Sequence, residues 1–291
     1  MYTIKQAAER SGVGVSLLRA WERRYGIVAP IRASSGYRLY DDDAISRLRA
    51  MRQLVDGGWS ASQAADAVIN GEVELTGQRD ADALATQTDA LLSAAAAYDA
   101  VALESVLDAF FSRGSYEAVI DDLVLPAVRA LGSAWASGRI DIAAEHLASA
   151  MVQRRLAALF DLSGAVGAGR SVAVGLPPGA RHEIGTLAFA VALRRQGVNV
   201  LYLGPDVPIS SWVHVVSERA LAAVVIGVAV SSDVDVADEV AAAIREVRPQ
   251  LIVAVGGPAA RETGADVQIL ADRVSRAAVE VAGLIGTRRS G

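Results

Sequence analysis

The hydrophobic period changes along the chain, and its last change constrains the fold most. From Ser171 onward short apolar runs rich in β-branched residues alternate with helical stretches: SVAVGL, TLAFAVALRRQG, NVLYLG, ISSWVHVVSERA, AAVVIGVAV, VADEVAAAIREV, LIVAVGG and a final helix. Strands that are apolar throughout, each followed by a helix, predict a parallel, doubly wound sheet covered on both faces. Such a sheet takes its ligands at the C-terminal ends of its strands.

Two other segments precede it. From about Ala81 to Leu162 apolar residues recur every three or four positions, with few breakers besides Gly114, Pro126 and the Gly132 and Gly138 region. That spacing predicts a bundle of about four helices. From Met1 to about Val68 the helical patterns are short; Thr3 with Gln6 and Ser60 with Gln63 have the capping-box spacing that marks helix starts. The polar stretch GEVELTGQRD between these segments reads as a linker. Three domains are expected, at 1–72, 80–166 and 170–288.

Charge separates the first segment from the rest. The net charge is −5, yet residues 1–53 hold ten Lys/Arg against five acids, which leaves −10 on the remainder. A basic nucleic-acid module joined to an acidic body fits that asymmetry. The longest apolar runs, such as Leu221 to Val230, are far short of the roughly 20 residues of a membrane span. The first residues lack the apolar stretch of a secretory signal. There is no cysteine, which excludes disulfides, zinc fingers and iron–sulfur clusters and fits a cytoplasmic address.

In the basic segment a helix over about Ile4 to Arg10 leads through Ser11-Gly12-Val13-Gly14 to a second helix, about Ser16 to Tyr25. That is a helix-turn-helix. Leu18, Trp21 and Tyr25 share an apolar face of the second helix, while Arg19 and Arg23 lie one turn apart on another. Pro30-Ile31-Arg32, a Ser-Ser-Gly turn and Gly36-Tyr37-Arg38-Leu39-Tyr40 then read as a wing whose arginines and tyrosine hydroxyls lie against phosphates. The string LRAWERRYGIVAPIRASSGYRLYDDDAISRLRAM resembles the MerR family, with its W-E-R-R-Y-G and G-Y-R-L-Y motifs. That resemblance implies double-stranded DNA as partner, read by Lys5, Arg19, Trp21, Arg23, Arg24, Arg32, Tyr37, Arg38 and Tyr40. It also implies a symmetric dimer, able to pair further into a tetramer, on a near-palindromic operator.

Of the three histidines, His182 lies in PPGARHEIG, the loop after the first predicted strand. By position alone a solvent-exposed loop histidine and a ligand are equally good readings. His182-x-x-Gly185, with Gly256-Gly257 after LIVAV, is similar to the cobalamin-binding domain. There the histidine coordinates cobalt from below and the glycines let the displaced nucleotide tail pass close to the backbone. Trp135, nine residues and then Glu145-His146 resemble the bundle that caps the upper face of cobalamin in light-responsive repressors related to CarH and LitR. On that resemblance Trp135 covers the upper axial group; taken alone, a tryptophan on a bundle helix is more often core. The implied cofactor is cobalamin in its adenosyl form, with His182 as the cobalt ligand.

Three positions depart from the pattern. Ala180 stands where the motif has an acid that orients the imidazole, which weakens cobalt ligation. Ala229 stands where a serine follows the third strand, unless Ser231 replaces it, and Ala136 stands where photosensory members carry a second histidine. His146 is then the nearby candidate for capturing cobalt from above. His214 reads as structural or surface, and Asp206 either lines the pocket or belongs to an ordinary helix-leading turn.

The expected function is a DNA-binding regulator, not an enzyme, whose operator affinity is set by a corrinoid. A regulator whose altered pocket holds another chromophore, or nothing, is the alternative. A methyltransferase or mutase subunit is a remote third, because no catalytic barrel fits beside the other parts and no base, nucleophile and orienting group converge in the sequence.

Overall fold

A computed structural model describes residues 1–32, 38–56, 58–70, 76–163 and 171–287, and divides the chain into two compact units, Met1–Gln87 and Thr88–Gly291. Among the described residues no helix is long and apolar enough to cross a membrane.

The first unit is a small helical domain with a three-stranded antiparallel sheet. Its elements run β1 (Tyr2–Thr3), α1 (Ile4–Ser11), α2 (Val15–Tyr25), β2 (Ile31–Arg32), β3 (Arg38–Tyr40), α3 (Asp42–Asp56) and α4 (Ala61–Ile69), with sheet order β1-β3-β2. Both expected capping boxes are present, Thr3 with Gln6 and Ser60 with Gln63. Gly12 ends α1 at φ +69, so the GVG string is the turn of the helix-turn-helix. Leu18, Trp21, Ile27, Tyr40, Leu48 and Met51 fill the core. β1 was not foreseen; its two residues pair with Tyr40 and Leu39.

The second unit joins a helical bundle to a sheet domain. α5 (Thr76–Ala96) begins inside the stretch read as linker, whose residues from 76 carry no proline to stop a helix. α6 (Ala100–Phe111), α7 (Tyr116–Val119), α8 (Leu125–Ala136) and α9 (Ile142–Leu162) complete the bundle. Pro126 does not break it. One π-turn, Ile120–Val124, runs α7 into α8, and the proline falls in the first turn of α8, where a missing N–H costs little.

β4 (Ser171–Gly175), β5 (Val200–Gly204), β6 (Leu221–Gly227), β7 (Ile252–Gly256) and β8 (Gln268–Ile269) form a fully parallel sheet in the order β5-β4-β6-β7-β8. Crossing helices are α10 (Ile184–Arg195), α11 (Ile209–Glu218) and α12 (Val234–Val247), and α13 (Val274–Thr287) follows β8. The two faces carry separate cores. Val172, Val174, Val200, Ala223 and Val225 pack with α10, α13 and the bundle, while Ala173, Val224, Ile226 and Val253 pack with α11 and α12. Fully buried side chains such as Leu103, Leu131 and Leu156 each contribute roughly 1.5–3 kcal/mol and make bundle and sheet one body. A latch adds to this: the Asp121 carboxylate in the π-turn accepts the Val274 and Ser275 N–H groups at the start of α13, and Arg273 grips Asp122 with both terminal nitrogens.

Candidate ligand site and DNA-facing helix

In the first unit the cations sort by whether something already neutralises them. Arg38 pairs with Glu22 at 3.1 Å, Arg47 with Asp43 at 2.8 Å and Arg52 with Asp56 at 3.2 Å. Arg19 and Arg23, exposed and one turn apart on α2, have no ion-pair partner among the described residues, and Lys5 on α1 is likewise exposed and unpaired. Arg24 stacks 5.6 Å from the Tyr25 ring and keeps its charge outward. Two expected contacts are corrected. Trp21 is 4% exposed and Tyr40 1%, both in the core; the Tyr40 hydroxyl is spent on Glu22 at 2.8 Å, with burial first and that bond second pushing its ionisation far above the ordinary value. Neither can reach a phosphate. The Arg32 backbone pairs with Arg38, while its side chain, Tyr37 and the Ser-Ser-Gly turn lie outside the described residues.

In the second unit His182 is exposed on the loop leaving β4, two residues before α10. Its imidazole makes no hydrogen bond or ion pair among the described residues. The loop beneath it is held from two sides. Asp206, just past β5 at φ +53, accepts the Gly179 N–H at 2.7 Å and donates its own N–H to the Ala180 carbonyl at 3.0 Å. So Asp206, exposed at the sheet edge, braces the histidine loop. Glu183, the next residue after His182, accepts from Gln153 on α9 at 3.1 Å and from the Tyr202 hydroxyl on β5 at 2.8 Å. Burial, helped by the Glu183 carboxylate, pushes Tyr202 far above the ordinary tyrosine range.

α9 links this loop to the tryptophan end of the bundle. His146 and Gln153 are seven residues apart, on one face of the helix and about 10 Å along its axis. Gln153 reaches Glu183, so His146 lies on the sheet-facing side. The Glu145 carboxylate meets His146 Nδ1 at 2.7 Å and the Ser149 hydroxyl at 2.6 Å, which leaves Nε2 of the exposed imidazole free. Trp135 is 48% exposed near the end of α8, so it is not a core residue, and Ala136 ends that helix.

The glycines divide by what a side chain would meet. A Cβ on Gly257 would sit 2.4 Å from the Val228 carbonyl oxygen, at φ +122, so the fold itself requires glycine there. On Gly256 it would meet only Leu270 at 3.5 Å, and on Gly185 nothing within 4 Å. The fold does not explain those two. Of the three, only Gly185 faces open space, and among the described residues no group of three His, Asp or Glu side chains could hold a metal ion. A lone imidazole suits a metal that arrives with its other ligands in a macrocycle.

Family models match all three parts: "MerR HTH family regulatory protein" over residues 2–68, and two described as "B12 binding domain" over residues 87–160 and 170–283. The HTH-type transcriptional repressor CarH of Myxococcus xanthus is 34% identical over 295 residues, covering 98% of this chain and 98% of that protein. The chain belongs to the CarH family of MerR-type, B12-domain regulators. The repressor CarA of the same organism is 31% identical over 207 residues, 70% of this chain and 68% of CarA. A monomethylamine corrinoid protein of Methanosarcina barkeri superposes with TM-score 0.53 at 16% identity, over 68% of this chain and 96% of that one, a likeness of fold.

Within this CarH-family chain the three departures have structural surroundings. Ala180 is 2% exposed, and its carbonyl accepts the Asp206 backbone N–H, while the Asp206 carboxylate accepts the N–H of Gly179 beside it. The Ala229 N–H donates to the Asp233 carboxylate, and the exposed Ser231 hydroxyl donates to Glu262 at 3.1 Å. His214 is exposed on α11, as its pattern indicated. The Asp206 brace and the Glu183 bridge escaped the sequence reading because each joins residues 19 to 30 positions apart.

Proposed function

We propose that this chain is a transcription regulator, not an enzyme, that binds adenosylcobalamin between bundle and sheet domain and changes its assembly and operator affinity when the corrinoid arrives or is photolysed. The observation that carries this is the free His182 imidazole on a braced loop at the C-terminal edge of the sheet, bridged through Glu183 to the bundle helix that also bears His146. His182 would hold cobalt from below, Gly185, Gly256 and Gly257 would admit the nucleotide tail, and Trp135, Glu145 and His146 would face the upper ligand. Bound there, the cofactor supplies a light-labile cobalt–carbon bond. The protein's own part is to bind, to exclude water with Trp135 and to transmit occupancy along α9.

The output is the basic helix α2, with Arg19 and Arg23 free for a groove and Lys5 and Arg24 for phosphates. A symmetric operator is met by a homodimer, and control through subunit assembly, by dimers pairing into tetramers, couples two sites without contact between them. A cytoplasmic location is expected for this role.

One experiment tests the reading. The purified chain is mixed with adenosylcobalamin in the dark, freed of unbound ligand, and its visible spectrum and hydrodynamic size recorded before and after green light. A corrinoid spectrum that changes on illumination together with size is expected; a colourless protein refutes it.

A further inference from the structure

Among the described residues the first unit exposes five large apolar side chains, Met1, Leu17, Ile31, Trp59 and Ile69, and of these Leu17 lies on α2. A lone exposed leucine is ordinary on a protein surface, so its neighbours decide what it does. Leu17 sits in the first turn of the helix and is 46% exposed, while Leu18 and Trp21 turn into the core at 0% and 4%. Ser16 and Arg19 beside it are exposed, Ala20 one turn on is half-buried, and Arg23 and Arg24 near the other end are exposed. Leu17 with Ala20, and Ser16 with Ala20, are helix-surface neighbours by their spacing. The outward side of α2 thus carries its charge on three arginines and, at its N-terminal end, an uncharged strip of Ser16, Leu17 and Ala20.

The tip of this helix is bare. Its N-cap is Gly14, which makes no side-chain cap, and no acid lies in the first turn. A Cβ on Gly14 would meet nothing within 4 Å, so the space at the tip is open. The one acid of α2, Glu22, is held by Arg38 at 3.1 Å and by the Tyr40 hydroxyl at 2.8 Å. Nothing on the helix tip repels a phosphate, and the positive end of the helix dipole favours one. Residues in the first turns of a recognition helix are those that reach base edges in the major groove, while cations along it fix register on the phosphates. The apolar group that the floor of that groove offers is the 5-methyl of thymine.

We infer that Leu17, with Ala20 beside it, packs on a thymine 5-methyl group in each half of the operator and so selects thymine at that base pair. This rests on α2 being the groove-facing helix. Leu17 is then a specificity-determining residue that works by removing one methyl from water, a contribution of about fourfold in affinity. Its effect is independent of salt, unlike that of the arginines.

The test exchanges thymine for deoxyuridine, which keeps every hydrogen-bonding group and lacks only the methyl. The full-length wild-type chain selects a duplex from a random pool, and each thymine of one half-site is then exchanged in turn. Binding of wild type, Leu17→Ala and Arg23→Ala to these duplexes is followed by fluorescence anisotropy at fixed salt. At one thymine the wild type is expected to lose about fourfold on the exchange, Arg23→Ala to lose the same factor from its weaker starting point, and Leu17→Ala to lose nothing further. Leu17→Ala melts as the wild type does, because the side chain it shortens is exposed. Equal losses for wild type and Leu17→Ala at every thymine, or no thymine whose exchange alters wild-type binding, overturns the inference. Selection that yields no duplex, or a duplex whose binding Arg23→Ala and Arg19→Ala both leave unchanged, instead refutes the groove-facing reading of α2.

Discussion

The Asp206 carboxylate holds the Gly179 N–H at 2.7 Å, from one strand end to the loop of its neighbour, and by doing so shapes the turn that presents His182. Asp206 adopts a left-handed backbone, which Asn tolerates and Ala does not. Asp206→Asn is expected to cost about 1 kcal/mol in denaturant unfolding and Asp206→Ala about 2–3 kcal/mol, since the second loses both the bond and the backbone preference. Equal costs for the two variants would show that the backbone conformation is not strained.

Neighbouring glycines should respond differently. Gly257→Ala drives a methyl into the Val228 carbonyl and is expected to destabilise by about 3 kcal/mol or more. Gly256→Ala meets only Leu270 and is expected to stay within about 1 kcal/mol of wild type, while weakening corrinoid binding. Thermal melts of the ligand-free variants separate the two; a Gly256→Ala melt as low as that of Gly257→Ala sinks the distinction.

For DNA, free and committed arginines are predicted to differ. Arg23→Ala is expected to weaken operator binding by about 1–3 kcal/mol if it reads a base edge. Arg47→Ala, whose charge Asp43 already neutralises, is expected to change it little. Fluorescence anisotropy on one operator at fixed salt decides, and equal losses refute the sorting.

His182→Ala offers the spectroscopic counterpart. In the variant the bound corrinoid is expected to show a water-ligated or base-on spectrum in place of the His-ligated one. An unchanged spectrum removes His182 from the ligand role.

Buried tyrosines set an alkaline limit. Tyr116 and Tyr202 both ionise well above the ordinary value of 10.0 in the fold, chiefly because burial penalises the phenolate. Their raised folded values mean that the contribution is complete below pH about 10, where the unfolded chain also keeps its phenol protons, and is lost as pH climbs from there toward the folded values. Phenolate absorbance from these rings should rise together with loss of helical signal. Gradual ionisation with the helices intact contradicts the assignment.

How much of this was legible depends on the range of each interaction. Thr3 with Gln6 and Ser60 with Gln63 mark helix starts within three residues, and both boxes form. The long apolar strands announced the parallel sheet, but β8 did not announce itself, being two exposed residues, Gln268 and Ile269. The π-turn left no compositional trace, because its bonds reach one residue farther without requiring a particular side chain. Trp21 and Tyr40 were misplaced as DNA contacts because the family motif names them beside real arginines, whereas burial is decided by α3 and β3 packing behind α2. In the candidate site, His182, Gly185 and Gly256-Gly257 were visible as a spacing, and what braces the histidine loop, Asp206 and Glu183, was not.

The Asp121 latch has a consequence for the order in which the molecule is made. A π-turn in the bundle waits for N–H groups that lie 153 and 154 residues further along, at the head of the last helix. Contacts between such distant residues form late, and chains emerging from the ribosome fold their early units first. The N-terminal unit is thus complete while the sheet domain still lacks its closing helix, so the two parts of one copy do not mature at the same moment.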